Sequence, residues 1–190
     1  VWNEKQVAFQ PVTDAWGKTN VPGLHVAGDG AGIGGAQTAA ASGELAALNI
    51  LHLIGRISAD TRTQRAATAR GALLRSRAVR PFLDAAYAPP AEFLSPADET
   101  IVCRCEEKTA GEIRQGIGEG VSGHRQIKTS LRTGMGPCQG RMCDATVRGI
   151  LSASNPLNIA NIAPPRARSP IKPITLGELA ALAPDQEKSA

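Results

Sequence analysis

The sequence predicts an α/β segment at the beginning of the chain, a cysteine-bearing segment of short helices in its second half, and an extended Pro-rich tail. Three observations support this division. The apolar stretch 24–27, predicted to be a short buried strand, leads through a glycine-rich turn into a stretch with helical spacing of Ala and Leu, from residue 36 to about residue 54. All four cysteines lie in the region 100–153, among segments with helix-start patterns. Prolines recur beyond residue 155, which favours an extended chain.

Proline-containing breaks divide the chain further. The pairs Pro89-Pro90 and Ser95-Pro96 predict a linker, and the pair Asn155-Pro156 predicts the end of the cysteine-bearing region. We therefore expect four parts: the α/β segment over 1–57, a helical connector over 58–97, the cysteine-bearing domain over 98–154, and the Pro-rich tail over 155–190 with a short helix at 176–182.

Local patterns predict where several helices begin and end. Gly55 is expected to end the first helix, and Ser58 is expected to cap the next one. The pattern Thr109-Ala-Gly-Glu112 is a capping box, which predicts a helix that begins there. A second short helix is predicted over 126–131, and a third from about residue 140 through residue 151.

The composition excludes several classes of protein. The hydrophobic share of 42% and the charged share of 20% are those of a folded protein, not of a disordered one. The formal net charge of +4 could indicate nucleic-acid binding, but aromatic residues make up only 3% of the chain, and the aromatic side chains of single-strand binders are missing. We therefore expect no nucleic-acid partner.

The sequence also bears on location and extent. No apolar run approaches the ~20 residues of a transmembrane helix, and there is no signal peptide, so we expect a cytoplasmic protein without a membrane span. The chain begins with Val1, in the middle of a pattern that includes Trp2 and the alternating residues 6–9. We accordingly expect it to be the C-terminal part of something longer.

The spacing of the cysteines indicates a metal site. Cys103 and Cys105 are separated by one residue, and Cys138 and Cys143 by four. Four thiolates bind zinc or an iron–sulfur cluster, but paired zinc ligands usually have two to four residues between them. Cys-x-Cys is tight for a single tetrahedral ion, so the pattern favours a 2Fe–2S cluster; zinc, disulfides and free thiols remain as alternatives.

The surroundings of the cysteines agree with an anionic cluster. Gly134, Gly136 and Gly140 allow the backbone to approach sulfur and to donate N–H hydrogen bonds to it. Cys143 could begin a helix whose N-terminal dipole favours an anion. Basic residues that could offset the cluster's charge lie nearby in sequence: Arg104, Lys108, Lys128, Arg132 and Arg141.

The two cysteine motifs together resemble a known domain. Val102-Cys-Arg-Cys-Glu106 and Gly134-Met-Gly-Pro-Cys-Gln-Gly-Arg-Met-Cys143 are similar to the 2Fe–2S domain of the bacterioferritin-associated-ferredoxin-like (BFD-like) family, and all four ligand positions are present. The resemblance implies a small all-α domain in which Cys103, Cys105, Cys138 and Cys143 bind the cluster.

The glycine-rich turn after residue 27 has the chemistry of a cofactor contact. A carboxylate at Asp29, at the end of a predicted strand, could accept hydrogen bonds from sugar or ribityl hydroxyls. The following helix N-terminus could stabilise negative charge. The alternative is an ordinary strand–turn–helix whose glycines serve packing. The segment resembles the C-terminal FAD motif of two-dinucleotide-binding-domain flavoproteins, which implies FAD contacts at Gly28, Asp29, Gly35 and Ala36.

The motif that binds the pyrophosphate of FAD in that family is missing. Gly30, Gly32 and Gly35 spell Gly-x-Gly-x-x-Gly, but Asp29 precedes them directly and no acidic residue follows at the expected ~20 positions. The resemblance therefore implies a C-terminal piece of an FAD-binding Rossmann-like domain. The FAD site in this chain is expected to be incomplete, with weak FAD binding or none.

No residue of the sequence is predicted to be catalytic. His25 precedes the glycine-rich turn and is assigned to packing. His124 is assigned to a Gly-flanked turn, and neither histidine has an identifiable acid–base partner in the sequence. Ser42 and Ser130 have no triad context.

The order of a flavin motif, a cluster domain and a Pro-rich tail resembles the C-terminal part of the FAD-containing subunits of the opine oxidase (octopine or nopaline oxidase) family. Related flavoprotein subunits occur in hydrogen cyanide synthase and in hydroxyproline and proline dehydrogenases. The resemblance implies an FAD/2Fe–2S oxidoreductase that oxidises opines or related secondary amines and amino acids, in which this chain relays electrons between flavin and acceptor. The fragment alone is expected to be inactive.

The same resemblance implies a hetero-oligomer. The expected partners are a small ferredoxin-like subunit, an FAD-containing amine-oxidising subunit and an electron acceptor. Two other functions stay open on the sequence. One is a ferredoxin-like module that docks a redox partner, and the other is a non-redox interaction domain stabilised by zinc.

Overall fold

The computed structural model describes residues 1–155, 157–166, 169–170 and 172–181. The chain forms two compact units, Val1–Pro90 and Ala91–Ala190, which divide within the predicted linker. In the part of the chain that is described, no helix is long and apolar enough to cross a bilayer.

Two long helices build the core of the first unit. Helix α1 covers Ala36–Leu53 and helix α2 covers Ala59–Ala78, and α3 follows at Arg80–Ala86. Leu45 and Leu48 of α1 are buried against Ala66 and Ala69 of α2, whose small side chains allow the two helices to approach closely. The predicted cap is confirmed, because the Ser58 side chain accepts a hydrogen bond from the backbone N–H of Thr61.

The segment ahead of α1 is mostly irregular. Strands β1 (Trp2–Asn3) and β2 (Ala8–Phe9) form an antiparallel hairpin. The predicted buried strand at 24–27 is wrong: His25 forms a single bridge with Lys18, and none of the four residues is buried. An apolar strand needs neighbouring strands on its flanks, and one bridge does not supply them. The Rossmann-like character of this unit stays a prediction.

The second unit is a small helical domain with one hairpin. Helices α4 (Ala91–Leu94), α5 (Ala110–Gly118), α6 (His124–Leu131) and α7 (Asp144–Ser154) surround strands β3 (Ile101–Cys103) and β4 (Lys108–Thr109). The residues that fill its core are fully buried apolar side chains: Ile113, Ile127, Val147, Ile150 and Leu151.

Helix starts in this unit differ in how well they were predicted. The capping box of α5 is confirmed, since Thr109 and Glu112 exchange side-chain and backbone hydrogen bonds. Helix α6 covers His124–Leu131 and includes the predicted helical residues 126–131. Helix α7 begins at Asp144 and not near residue 140, because Gln139 and Gly140 both have positive φ and form a turn instead.

The described part of the tail contributes little regular structure. A 3₁₀ turn at Ile159–Asn161 brings Ile162 onto the core of the second unit, where it is buried. Helix α8 covers Leu176–Ala180 and begins with a capping box between Thr175 and Glu178. The predicted end of this helix at residue 182 lies outside the described residues.

Candidate metal centre

The β3–β4 hairpin presents the first two cysteines. Cys103 ends β3 and is 1% exposed, whereas Cys105 lies in the turn and is exposed. A register shift between Ile101 and Cys103 and a positive φ at Glu107 shape this turn. The hairpin therefore directs one thiol into the domain and leaves the other near the surface.

The loop ahead of α7 presents the other two cysteines. The N–H of Gln139 donates to the carbonyl of Gly136 at 2.8 Å, and the N–H of Arg141 donates to the carbonyl of Cys138 at 3.1 Å, which makes two consecutive turns. Cys143 follows as the residue that caps α7 and is 1% exposed. Cys138 is half-buried, so this loop, like the hairpin, carries one buried and one more accessible thiol.

The structure brings all four predicted cysteines together. The Cys105 and Cys138 side chains are within hydrogen-bonding reach of each other, and so are those of Cys103 and Cys143. Electrostatic interaction of Cys138 with Cys143 links the two pairs. The thiols thus form a buried pair and an accessible pair, each with one member from the hairpin and one from the loop.

Gly136 allows this close approach. A Cβ added at Gly136 would overlap the Cβ and crowd the Sγ of Cys105, so only glycine fits between the loop and the hairpin. Among the residues that are described, no three His, Cys, Asp or Glu side chains are arranged to hold a single ion. Two pairs of thiols suit a cluster with two iron atoms better than one tetrahedral zinc.

The two loop thiols have different electrostatic surroundings. Backbone N–H groups of Met142, Gly140 and Arg141 donate to Cys138, the one from Met142 having the largest effect, and lower the pKa of that thiol. Burial, and then the neighbouring Cys103 and Cys138, raise the pKa of Cys143 to about 12. The Cys138 thiol is thus easier to deprotonate than the Cys143 thiol, and metal binding needs both as thiolates.

The predicted basic residues have separate roles. Lys108 pairs with Glu112 at 2.7 Å, and Arg132 pairs with Glu106 at 2.9 Å, so carboxylates already offset these two charges. Arg141 donates from its guanidinium to the carbonyl of Cys138 at 3.2 Å. This predicted basic residue therefore contacts the loop before α7, called the ligand loop below, which carries Cys138 and Cys143.

A buried ionic group beside Cys143 was not predicted. Asp144, the first residue of α7, lies 3.2 Å from Nε2 of His124 and 3.0 Å from Nε of Arg148. The assignment of His124 to a turn without a partner is therefore wrong, because it begins α6 and is 7% exposed beside Asp144. The spacing of Asp144 and Arg148, one helical turn apart, was the available sequence signal.

The residues of the predicted flavin motif lie in the loop before α1. Gly28 and Asp29 are in a 3₁₀ turn, and the Asp29 carboxylate accepts hydrogen bonds from the N–H groups of Gly34 and Gly35 at 3.1 and 3.3 Å. Ala36 is the first residue of α1. Asp29 is exposed and stabilises its own loop, so a cofactor contact at these four residues stays a prediction.

Gly28 also borders a cavity of about 450 Å³ inside the first unit. Its N–H donates to the Ser42 hydroxyl at 3.0 Å, and Arg70 and Arg77 of α2 line the same cavity. His25, on the other hand, contacts the Asn49 amide at 3.0 Å through Nε2, and its assignment to packing stays a prediction.

Comparison with known families identifies the second unit. Residues 101–153 match the BFD-like [2Fe-2S] binding domain. The chain carries a BFD-like 2Fe–2S domain. All four cysteines, helices α5 and α6, and α7 except its last residue lie within this range, so the sequence resemblance is confirmed.

The whole chain is related to the A subunit of opine oxidase. It is 49% identical over 183 residues to that protein from Agrobacterium tumefaciens, which covers 95% of this chain and 36% of the relative. It is also 36% identical over 133 residues to hydrogen cyanide synthase subunit HcnB of Pseudomonas protegens, or 68% of this chain and 28% of the relative. The chain thus spans about a third of the length of these curated relatives.

A shorter similarity extends to another class of oxidoreductase. The A subunit of anaerobic glycerol-3-phosphate dehydrogenase from Haemophilus influenzae is 36% identical over 56 residues, or 29% of this chain and 10% of the relative. No solved structure matches the chain. These relatives are named as subunits of an opine oxidase, a hydrogen cyanide synthase and a dehydrogenase.

Proposed function

We propose that Cys103, Cys105, Cys138 and Cys143 bind a 2Fe–2S cluster and that the chain is the electron-transfer portion of an FAD-containing oxidoreductase. The observation that carries this proposal is the convergence of four thiols from two distant segments into a buried and an accessible pair. When bound, the cluster supplies one-electron chemistry, which complements a flavin that accepts two electrons and can release them singly.

The residues of this chain prepare the site in three ways. Cys103 and Cys143 anchor the buried side, where apolar neighbours keep water away. The N–H groups of the Cys138–Cys143 loop point at the Cys138 sulfur and stabilise its negative charge. Helix α7 begins directly after Cys143, so its N-terminal dipole also favours an anion there.

The accessible pair marks the side from which electrons enter or leave. Cys105 is exposed, and the flanking Met135 and Met142 are 41% and 71% exposed. Polarizable methionine side chains are common at protein-binding surfaces, so this face suits a redox partner. We assign the partner to an FAD-containing amine-oxidising subunit, with a small ferredoxin-like subunit and an electron acceptor completing the complex.

The names of the relatives support a substrate class. The A subunit of opine oxidase is similar along nearly the whole chain, so opines or related secondary amines and amino acids are the proposed substrates. No catalytic residue is assigned in this chain, because the oxidation of the amine is placed on the partner. Gly28, Asp29, Gly35 and Ala36 are proposed to contribute part of an FAD site that other segments complete.

The test of the cluster is reconstitution of the chain with iron and sulfide under anaerobic conditions. We expect iron and sulfide in equal amounts and a visible absorption that dithionite bleaches. Cys105→Ser should lose the cluster, whereas the control Met142→Ser, in the loop before α7, should retain it. A chain that binds one zinc tightly and takes up no iron would contradict the proposal and favour a zinc-stabilised interaction domain.

The FAD proposal needs a separate test. The 190-residue chain should show weak FAD binding or none in a fluorescence titration, whereas the complete complex should be purified with FAD. Asp29→Ala should reduce the flavin content of the complex without changing its iron content. A complex with a cluster and no flavin would leave a ferredoxin-like docking module as the function.

A further inference from the structure

Thr133 carries a buried hydroxyl that the fold does not explain. Its side chain is 0% exposed, and among the described residues its Oγ1 has no hydrogen-bond partner. A buried hydroxyl without a partner costs folding free energy, and nearly all such groups in folded proteins are hydrogen-bonded. The hydroxyl of Thr133 therefore indicates a partner that is not a protein group.

Thr133 lies in a turn that packs on the ligand loop. The N–H of Met135 donates to the carbonyl of Arg132 at 2.9 Å, so Thr133 and Gly134 are the central residues of a β-turn between α6 and the loop. A Cβ added at Gly134 would lie 3.5 Å from Cα of Gly140, which is between Cys138 and Cys143. The turn that holds Thr133 thus packs on the loop that carries two of the four thiols.

We propose that the Thr133 hydroxyl donates a hydrogen bond to an inorganic sulfide of the bound cluster. This inference rests on the proposed 2Fe–2S cluster. A sulfur that accepts a hydrogen bond carries the negative charge of the reduced state more readily, so the bond raises the reduction potential. Thr133 is in this role a positioning and tuning residue, with no part in covalent chemistry.

The experiment compares reduction potentials of three reconstituted full-length chains: wild type, Thr133→Val and Thr133→Ser. Valine preserves the branched shape without the hydroxyl, and serine preserves the hydroxyl. We expect Thr133→Val to lower the equilibrium constant for reduction about tenfold, which is about 59 mV for a one-electron couple. Thr133→Ser should keep a potential close to that of the wild type.

Thr129→Val is the matched control. Thr129 lies on α6, is exposed, and donates from its hydroxyl to the carbonyl of Arg125 at 2.9 Å. The same chemical change there should leave the potential unchanged. A shift of similar size in the Thr129 control would overturn the assignment, because it would show a general effect of the substitution.

The remaining outcomes separate this inference from the cluster proposal. A wild-type chain that takes up no iron overturns both. Full cluster content with the same potential in wild type and Thr133→Val overturns only the role of Thr133. If Thr133→Val does not fold, the hydroxyl has a partner within the protein, and the inference is again overturned while the cluster proposal stands on the wild type.

Discussion

Two glycine-rich loops in this chain each lead into a helix, and they differ in how completely the chain itself surrounds them. The loop before α7 packs on the β3–β4 hairpin through Gly136, and its cysteines meet those of the hairpin. The loop before α1 is held by its own Asp29 and by the Gln6 side chain, which bonds both the N–H and the carbonyl of Ile33, but no cysteine or other candidate ligand meets it there, and a Cβ at Gly35 would meet nothing within 4 Å. Glycine content alone therefore does not define a site; the convergence of ligand groups from another segment does.

The largest effect is expected for Gly136→Ala. The added Cβ would collide with Cys105 and move the accessible thiols apart. We expect cluster content to fall about 10-fold or more, as is found when groups that position metal ligands are changed. Iron and sulfide analysis after reconstitution measures this. Gly118→Ala is the control, because a Cβ there meets nothing within 4 Å, and unchanged cluster content in Gly136→Ala would show that the close approach is not required.

Gly149→Ala should destabilise the second unit without disturbing the arrangement of the cysteines. The added Cβ would overlap the backbone of Leu94, where α4 packs on α7, without contact to a cysteine. We expect a loss of about 1–3 kcal/mol in the free energy of unfolding, as for other overpacked sites. Urea unfolding of the reconstituted chain measures it. The folded fraction should still bind the cluster, and a selective loss of iron would contradict the separation.

Asp29→Ala tests the loop before α1. Removal of the carboxylate leaves the N–H groups of Gly34 and Gly35 without their acceptor, so their hydrogen exchange should become faster. Because the site is exposed, we expect a stability loss of about 1 kcal/mol or less. Asp14→Ala is a control in the same unit, where the Trp16 and Lys18 amides lose an acceptor instead. Unchanged exchange at Gly34 and Gly35 would show that Asp29 does not hold the loop.

The smallest effect concerns the capping box of α5. Lys108, and then the N–H of Thr109, lower the pKa of the Glu112 carboxylate below its ordinary value of 4.5. A lowered pKa means that the stabilisation is complete above pH 4.5 and is lost as the pH falls through the folded-state pKa. Urea midpoints of wild type and Glu112→Gln should therefore differ at pH 7, and the difference should shrink as the pH falls below 4.5 and through the folded-state pKa. A difference that does not shrink at acid pH would contradict this origin.

Features that depend on near neighbours in the sequence were predictable. The start of α1 at Ala36, the cap at Ser58 and the capping box at Thr109 all follow from residues within one helical turn of each other. The cysteine motifs also identified the domain, because their spacing reflects ligand geometry within each short segment.

Features that depend on tertiary contacts were not predictable. The pairing of Cys103 with Cys143 requires the hairpin to pack on a loop far along the chain. The late start of α7 depends on the turn at Gln139, and the approach of His124 to Asp144 joins two helices. The stretch around His25 has an apolar pattern but lacks strand neighbours, so periodicity alone gave the wrong answer.

Electron paramagnetic resonance of the reconstituted, dithionite-reduced chain tests the central claim most directly. A 2Fe–2S cluster on these four cysteines predicts a spectrum that is silent when oxidised and that integrates to about one unpaired electron for each two irons when reduced. A ferric signal from single irons in the oxidised chain, or a silent protein that contains zinc in both states, would contradict the assignment.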